Sequence, residues 1–255
     1  MRRATSSNAP GPAFSCSPDF SAFFFDVDGT LLELAPRPQD VVSDESLRRL
    51  LEQVAARAQG AVALISGRSL RDLDRIFAPL VFSAAGLHGA EIRYPDGSIR
   101  AAQTQLMDHA RAEVGRFVAG HPGLLLEDKG ATLAVHFRQR PDLGATVLQF
   151  LTKFTPGDDI AVQEGKLVVE LKPALFDKGT ALASLLERAP FAGRAPVFFG
   201  DDLTDEAGFS YVNGAGGTSV RIGSKATPTE ARFHLPNAAA LRAWLADLLV
   251  PRGPS

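Results

Sequence analysis

Short apolar segments alternate with amphipathic helical segments along this chain, and that alternation limits the folds open to it. Residues 22–26 form an apolar, aromatic run that ends abruptly in charge and Gly29, which is typical of a buried strand followed by a loop. Leucine, valine and alanine then recur at helical spacing over residues 47–58, behind a candidate N-cap at Ser43 and before Gly60. A strand followed by such a helix is the first unit of a βα pattern.

The βα alternation continues on both sides of an interruption in the middle of the chain. Further core strands are predicted at residues 61–65, 81–85, 197–200 and 218–222. The helices that connect or follow them are predicted at residues 69–78, 178–188, 204–211 and 238–249. Strands that alternate with helices form a parallel sheet with right-handed crossovers. We therefore predict an α/β fold with a doubly wound, mostly parallel, Rossmann-like core.

The middle of the chain has a different rhythm. Residues 91–100 are predicted as a hairpin that turns at Asp96-Gly97. Beyond it, helices are predicted at residues 105–118 and 143–154, and strands at residues 124–127, 132–138, 160–163 and 167–172. This pattern is typical of a small α+β unit. We therefore predict a discontinuous core at residues 19–102 and 173–250, an inserted cap domain at residues 103–172, and a flexible lead-in at residues 1–18.

Composition narrows the classes of partner and compartment. Twenty-seven basic residues stand against twenty-nine acidic ones, and no lysine or arginine run occurs in the part predicted to fold, so electrostatics favour neither nucleic acid nor membrane as a partner. Cys16 is the single cysteine and cannot pair within the chain. Residues 1–18 lack the apolar run of about 7–15 residues that a signal peptide needs. We expect a cytoplasmic protein that acts as a monomer.

Three polar clusters each follow a predicted buried strand. They are Asp26-Val-Asp-Gly-Thr30, Ser66-Gly-Arg68 and Asp201-Asp-Leu-Thr-Asp-Glu206. In an open α/β sheet such positions lie at the carboxyl ends of the strands, where ligands bind. One crevice can therefore hold all three clusters. Alternatively, each cluster only ends its strand and caps the next helix.

The first cluster offers two carboxylates one residue apart. Asp26 and Asp28 can lie on one side of an extended loop, while Gly29 frees the backbone to turn. Two carboxylates repel each other, and a divalent cation relieves that repulsion. A carboxylate can form an aspartyl-phosphate, and a second, protonated carboxyl can donate to a leaving alcohol. The pair therefore suits metal-assisted phosphoryl transfer.

The other two clusters, together with Lys178, supply complementary groups. Ser66 and the amide of Gly67 suit phosphate oxygens, and Lys178, at the start of a predicted helix, offers a positive charge. The run at residues 201–206 places like charges at i,i+4 spacing, which costs a few tenths of a kcal/mol per pair unless a helix amino terminus or a bound magnesium offsets it. Alternatively, the acidic run is a solvated helix start and Lys178 a solvated lysine.

These residues, in this order, resemble the haloacid-dehalogenase (HAD) superfamily of phosphatases over residues 22–248. The resemblance implies that Asp26 is the nucleophile and that Asp28 is first the acid and then the base. It also implies that Ser66 and Lys178 hold the phosphoryl oxygens. The implied cofactor is Mg²⁺, bound by Asp26, the backbone carbonyl of Asp28 and Asp201, with Asp202 as a further candidate ligand, whereas Asp205 supports the site from behind.

Longer strings resemble the trehalose-6-phosphate phosphatases within that superfamily. They are Ile65-Ser-Gly-Arg68, Gly86-Leu-His-Gly-Ala-Glu91, Glu127-Asp-Lys129 with His136-Phe-Arg138, Glu170-Leu-Lys-Pro173 with Lys178-Gly179, and Gly200-Asp-Asp-Leu-Thr-Asp-Glu206. The resemblance implies that Glu127, Lys129 and Glu170 grip the sugar hydroxyls from the cap, with Gly67, Arg68 and Arg138 as further substrate contacts. Alternatively, the cap residues are exposed strand positions that alternate with apolar ones.

The implied reaction is hydrolysis of trehalose 6-phosphate, the last step of trehalose biosynthesis, through an aspartyl-phosphate. Two alternatives remain at this point: another capped HAD phosphatase, of the sucrose-phosphate or mannosyl-phosphoglycerate type, and a non-catalytic sugar-phosphate sensor. In either enzyme reading we expect the cap to close over the core. His88 either lines the crevice or makes a structural hydrogen bond, and we expect the four other histidines to be structural or exposed.

Overall fold

Two β-sheets organise the protein in a computed structural model, which describes residues 14–33, 41–157, 159–165, 167–226 and 228–250. The strands are β1 (Ser21–Phe25), β2 (Val62–Ile65), β3 (Ser83–Gly86), β4 (Glu91–Arg93), β5 (Ile99–Ala101), β6 (Leu125–Asp128), β7 (Leu133–His136), β8 (Ile160–Gly165), β9 (Val168–Pro173), β10 (Ala195–Gly200), β11 (Thr218–Ile222) and β12 (Phe233–Leu235). The α-helices are α1 (Glu45–Arg57), α2 (Leu70–Phe77), α3 (Asp108–Ala119), α4 (Gly144–Leu151), α5 (Lys178–Leu186), α6 (Glu206–Gly214) and α7 (Ala238–Leu249). Among these described helices, none combines the length and apolarity needed to cross a lipid bilayer.

The larger sheet has the strand order β12-β11-β10-β1-β2-β3-β4-β5. Its first six strands pair in parallel, and the β4–β5 hairpin continues the sheet with antiparallel pairs. The order reverses on either side of β1, because the chain adds β2 on one side and returns to β10 on the other. This is the doubly wound, mostly parallel α/β core that the βα alternation predicted, and the fold class is confirmed.

Aromatic residues fill the centre of this sheet. Phe23, Phe24 and Phe25 in β1 are all fully buried, which explains why the strand reads as a continuous apolar run instead of an alternating one. The ring of Phe25 stacks on Phe199 of the neighbouring strand β10, with centroids 5.2 Å apart. Strand β1, whose five residues are all buried, therefore lies in the middle of the sheet. Strands β10 and β2 flank it, so the loop at its carboxyl end has a neighbouring strand on each side.

The smaller sheet is antiparallel, with the order β6-β7-β9-β8. It carries a separate apolar cluster that includes Val114 of α3, Leu133 of β7, Val147 of α4 and Leu171 of β9. The chain enters this unit after β5 and leaves it at the end of β9, close to the limits predicted for the cap. We infer that it forms the cap domain, inserted between the two halves of the core.

Three details differ from the sequence-based expectations. Residues 1–13 of the predicted lead-in lie outside the described residues, but Phe14 is buried, and its ring centroid is 4.9 Å from that of Trp244. The core therefore begins before residue 19, and the lead-in was drawn too long. The N-cap of α1 is Asp44, which accepts from the amide of Leu47 at 2.7 Å, whereas Ser43 donates to the carbonyl oxygen of Ile76. The edge strand β12 was missed.

Helix α5 begins with a reciprocal cap that fixes the position of its first residue. The Asp177 side chain accepts from the amide of Thr180 at 2.7 Å, and the Thr180 hydroxyl accepts from the amide of Asp177 at 3.0 Å. This arrangement satisfies two amides that a helix start otherwise leaves unpaired. It also sets where Lys178, the next residue, enters the core.

Replacement of Asp177 by Ala should therefore destabilise the protein. Loss of an N-cap side chain costs about 1 kcal/mol of unfolding free energy. Urea titration followed by tryptophan fluorescence measures this difference. Asp247→Ala is the matched control, because Asp247 is exposed near the end of α7, and its removal should change the free energy by less than about 0.5 kcal/mol. Equal midpoints for the two variants would contradict the importance of the cap.

Candidate active site

The carboxyl ends of three adjacent strands bring the three polar clusters together. Strands β10, β1 and β2 are neighbours in the sheet. Asp201, Asp26 and Ser66 are the residues that follow them, so they lie side by side at one edge. Asp26 is 5% exposed and Ser66 is 1% exposed, so both are buried at this edge of the sheet. The sheet topology alone therefore assembles a site from residues that are far apart in the sequence.

A buried lysine lies at the centre of this site. Lys178 Nζ donates to Asp26 Oδ1 at 2.7 Å and to Asp205 Oδ1 at 2.6 Å, and Lys178 is 2% exposed. Burial disfavours the ammonium form, but the carboxylates of Asp205 and Asp26 outweigh that effect and hold the pKa of Lys178 above its ordinary value. Lys178 is therefore a fixed positive charge directly beside Asp26.

Asp205 supports the loop from beneath. Its Oδ2 accepts hydrogen bonds from the amides of Asp201 at 2.9 Å and Asp202 at 3.0 Å, while its Oδ1 faces Lys178. Gly200 makes room for it, because a Cβ on Gly200 would lie 2.3 Å from the Asp205 Cγ. Both carboxylate oxygens of Asp205 thus hold protein groups in place. Asp205 therefore supports both the loop after β10 and Lys178.

Carboxylates crowd the space beside Lys178. Oxygens of Asp26, Asp201 and Asp205 all lie within 4.8 Å of one another. Gly29 allows this approach, since a Cβ there would come within 2.1 Å of Asp201 Oδ2. Burial, reinforced by the charges of Asp205 and Asp202, raises the pKa of Asp201 to about 7. Burial also raises the pKa of Asp26, although Lys178 opposes the shift.

This crowding tests whether the residues fit a divalent cation. Carboxylates whose burial and mutual repulsion disfavour the charged form are stabilised as anions by a hard cation, and carboxylate oxygens are the ligands that Mg²⁺ prefers. Asp26 and Asp201 therefore fit such an ion. Asp202 fits less well, because its Oδ1 caps the following 3₁₀ turn and accepts from the amide and hydroxyl of Thr204 at 2.8 and 2.6 Å.

Asp28 has a different partner from Asp26. Arg68 Nε lies 2.6 Å from Asp28 Oδ2, and Arg68 Nη2 lies 2.7 Å from Asp28 Oδ1. This bidentate contact occupies both oxygens and orients the carboxylate. Arg68 was predicted to contact substrate; in the structure it lies against Asp28, close to the nucleophile candidate Asp26. The two aspartates of the pair therefore lie in distinct electrostatic environments.

The loop after β2, at residues 66–68, lies at the same edge of the sheet. Ser66 Oγ accepts from the amide of Arg68 at 3.1 Å, which folds the loop tightly over residues 66–68. A lysine from the smaller sheet reaches this loop, since Lys129 Nζ donates to the carbonyl oxygen of Gly67 at 3.3 Å. The loop at residues 66–68 and the cap are therefore in direct contact.

The cap residues singled out from the sequence form one polar cluster. Lys129 Nζ is 3.4 Å from Glu170 Oε1, and Glu127 Oε2 is 2.8 Å from His136 Nε2. Burial opposes ionisation of Glu170, yet Lys129 and hydrogen bonds with His88 and Thr132 lower its pKa to about 2. The hydrogen bond with His136 lowers the pKa of Glu127. Both cap carboxylates are therefore held as anions.

Several polar residues of this region have surroundings that the sequence did not indicate. Arg138, which was predicted to contact substrate, lies exposed in the turn after β7. His136 was expected to be structural or exposed, and it makes a structural contact with Glu127. His88 and Gln163 also belong to the cluster around Glu170. Neither metal-ligand spacing nor strand alternation marks these histidines, because His88 lies in the turn after β3 and His136 at the end of β7.

Comparison with known proteins agrees with this geometry. The profile of the trehalose-phosphatase family matches residues 24–238. The chain is 44% identical over 239 residues to a probable trehalose-phosphate phosphatase from Sinorhizobium fredii, which covers 92% of this chain and 90% of that protein. It is 42% identical over 229 residues to the trehalose-6-phosphate phosphatase of Escherichia coli, with coverage of 88% and 85%.

Solved structures share the fold at lower sequence identity. The C-terminal domain of a C. albicans trehalose-6-phosphate phosphatase superposes with a TM-score of 0.80 at 21% identity, over 91% of this chain and 93% of that one. A phosphatase of the haloalkanoate (HAD) superfamily from Bacteroides thetaiotaomicron gives a TM-score of 0.62 at 17% identity, over 95% and 99%. These structures show that the HAD fold predicted from the sequence is correct.

Removal of the central lysine should strongly destabilise the protein. Lys178→Met keeps most of the side-chain volume but leaves Asp26 and Asp205 buried without their cation. Breaking a buried ion pair in this way costs about 3–5 kcal/mol of unfolding free energy. Trp244, the only tryptophan and largely buried, reports the urea unfolding transition.

A control and a second variant make the test of Lys178 specific. Lys225 is exposed, so Lys225→Met should change the free energy by less than about 0.5 kcal/mol. Adding Asp205→Asn to Lys178→Met removes one of the stranded charges and should recover part of the stability. If the double variant were less stable than Lys178→Met by the full cost of a second lost contact, charge balance would not be the reason for the loss.

Proposed function

The chain belongs to the trehalose-phosphatase family, and we propose on that basis that it hydrolyses trehalose 6-phosphate to trehalose and phosphate. One observation supports the proposal beyond family membership. Lys129 of the cap contacts both Glu170 and the carbonyl of Gly67, which belongs to the loop at residues 66–68. In the proposed reaction this loop holds the phosphate, and we call it the phosphate-facing loop. A sugar-binding cluster and a phosphoryl-transfer site are therefore in contact. A phosphorylated sugar with several hydroxyls matches both halves of that arrangement.

The nucleophile in this proposal is Asp26. A carboxylate oxygen of Asp26 attacks phosphorus, the bond between phosphorus and the sugar oxygen breaks, and an aspartyl-phosphate forms. Lys178 stands 2.7 Å from Asp26 Oδ1 and stabilises the negative charge of the transferring group. Ser66 and the amide of Gly67 hold the phosphoryl oxygens. Because Lys178 is already fixed by Asp205, it needs no reorganisation during the reaction.

Asp28 handles the protons in both steps. In the first step its carboxyl group donates a proton to the departing sugar oxygen. In the second step the resulting Asp28 carboxylate takes a proton from water, and the water oxygen attacks phosphorus. The bond between phosphorus and the Asp26 oxygen breaks, so that phosphate is released and Asp26 is again a free carboxylate. Arg68 occupies both oxygens of Asp28 at rest, so Arg68 must yield at least one of them before Asp28 can donate.

Magnesium completes the proposed site. Asp26, Asp201 and the backbone carbonyl of Asp28 would hold the ion, with Asp202 nearby. When bound, Mg²⁺ supplies Lewis-acid neutralisation of phosphoryl charge. The raised pKa values of Asp26 and Asp201 support this assignment, because burial and neighbouring carboxylates disfavour the anionic forms that a bound cation would stabilise.

We further propose that the protein acts as a cytoplasmic monomer on its small-molecule substrate, without nucleic acid or membrane partners. The near balance of twenty-seven basic and twenty-nine acidic residues supports the lack of a polyanionic partner. The single Cys16 makes no demand for an oxidising compartment. Closure of the cap, with its contact to residues 66–68, excludes water from the phosphoryl site.

Phosphate release from a panel of sugar phosphates tests the proposed reaction. Turnover should be fastest with trehalose 6-phosphate, should stop when EDTA removes magnesium, and should be abolished in Asp26→Asn because the amide is a poor nucleophile. Sucrose 6-phosphate, mannosyl-3-phosphoglycerate and glucose 6-phosphate are the competing substrates. Equal turnover of several of them would refute the specificity, and tight binding of trehalose 6-phosphate without turnover would instead indicate a sensor.

Removal of the cap carboxylates should separate sugar recognition from chemistry. Glu127→Ala and Glu170→Ala should each lower kcat/KM for trehalose 6-phosphate by roughly tenfold or more, since each removes a hydrogen-bonding charge from the sugar cluster. Turnover of p-nitrophenyl phosphate, which has no sugar hydroxyls, should persist. Glu164 is an exposed carboxylate on strand β8, so Glu164→Ala is the control. Loss of both activities together would show that the two glutamates serve the chemistry or the fold.

A further inference from the structure

His88 of the core lies in the junction between the cap strands and the phosphate-facing loop. It is 7% exposed, and its amide donates to the carbonyl oxygen of Ser66 at 3.0 Å. Its ring nitrogen Nε2 lies 3.6 Å from Glu170 Oε2 on β9 and 3.1 Å from Gln163 Nε2 on β8. One residue of the core therefore contacts two strands of the cap and the loop at residues 66–68.

An unfavourable backbone conformation at residues 87–88 and the absence of a side chain at Gly67 keep the His88 ring in that position. Leu87 and His88 have φ values of 50° and 57°, in the left-handed region that most side chains avoid. Gly67 leaves the space that the ring fills, because a Cβ on Gly67 would lie 2.6 Å from His88 Nε2 and 2.7 Å from Cε1. Unfavourable backbone persists where the surroundings impose it, and it concentrates at functional sites.

The contacts of Glu170 show what the ring contributes. Lys129 Nζ and the Thr132 hydroxyl approach Oε1 of Glu170, whereas His88 faces Oε2. Lys129 and Thr132 both belong to the cap, so they orient the carboxylate within its own domain. His88 is the contact from the core. It therefore ties the orientation of Glu170 to the position of the phosphate-facing loop.

We propose that His88 is a positioning residue, which orients Glu170 toward the sugar and docks the cap against the loop that holds the phosphate. This inference rests on the proposed function for its substrate, and on the contacts above for its structure. His88 acts through Glu170 and does not itself contact the reacting atoms. Its loss should therefore weaken sugar recognition more than phosphoryl transfer.

The decisive variant is His88→Asn. Asparagine tolerates the left-handed backbone better than most residues, so the turn is preserved, while its shorter side chain does not reach Glu170. The KM for trehalose 6-phosphate should rise about tenfold, with kcat changed by less than about threefold. For p-nitrophenyl phosphate, kcat/KM should fall by less than about threefold. Equal losses on the two substrates would overturn the proposal.

Two further variants test whether His88 works through Glu170. Adding His88→Asn to Glu170→Ala should lower kcat/KM for trehalose 6-phosphate by less than about twofold beyond Glu170→Ala alone. If the two losses multiplied, His88 would act independently and the proposal would fail. His88→Gln extends an amide donor back toward Glu170, so its KM should lie between those of the wild type and His88→Asn. A glutamine variant as impaired as asparagine would contradict the proposed contact.

Hydrogen exchange without substrate separates this proposal from the proposed function. His88→Asn should accelerate amide exchange at residues 66–68 and 168–172, because the cap loses its contact with the loop. His109→Asn is the control, since that side chain is 86% exposed on the outer helix of the cap. Unchanged exchange in His88→Asn would overturn the docking role even if trehalose 6-phosphate is the preferred substrate. A wild-type protein without that preference would overturn only the proposed function.

Discussion

A buried ammonium group between two carboxylates is the contact on which the rest of the site depends. Lys178, Asp26 and Asp205 come from the start of α5, the end of β1 and the turn after β10, and each is at most 5% exposed. Any one of these charges alone would be expensive to bury. Together they compensate one another, and the crossing of three elements at one point is what brings them within hydrogen-bonding distance. The chemistry of the site is thus inseparable from the topology of the sheet.

Close approach of the acidic loops also depends on residues that have no side chain. A Cβ added to Gly29 would lie 2.1 Å from Asp201 Oδ2, and a Cβ added to Gly200 would lie 2.3 Å from Asp205 Cγ. Neither position therefore has room for a side chain. A larger residue at either position would push apart the loops after β1 and β10. The glycines therefore allow a density of negative charge that Lys178 balances in part and that a cation beside Asp26 and Asp201 would balance further. The space that the two glycines leave determines how closely the carboxylates approach, and that approach determines how much negative charge must be balanced.

The sequence predicted the fold better than it predicted the contacts within the site. Buried strands such as β1 can be recognised in the sequence because both of their faces need apolar residues. Strand β12 has only three residues and carries His234 at its centre, so it lacks that pattern. Ser43 and Asp44 are both good caps, and only the geometry of the chain selects Asp44. Within the acidic run, linear spacing cannot tell that Asp202 caps a turn. For the same reason, no pattern linked His88 to Glu170, because their contact joins different domains.

Asp26 and Asp28 differ in their surroundings, which the sequence alone does not reveal. One residue separates them in the chain, yet Asp26 is 5% exposed beside Lys178, while the Asp28 side chain is 30% exposed and faces Arg68. In the proposed mechanism, a carboxylate that a lysine already fixes is suited to attack, since its position is set before the substrate arrives. The proposed mechanism also requires Arg68 to release Asp28, and a substrate that competes for this arginine would achieve that release. Because Arg68 adjoins Gly67, which the cap contacts through Lys129, arrival of the sugar and release of Asp28 would involve the same loop. In the proposed mechanism the cap therefore influences Asp28 without touching it, whereas Asp26 stays fixed by Lys178, which Asp205 holds in turn.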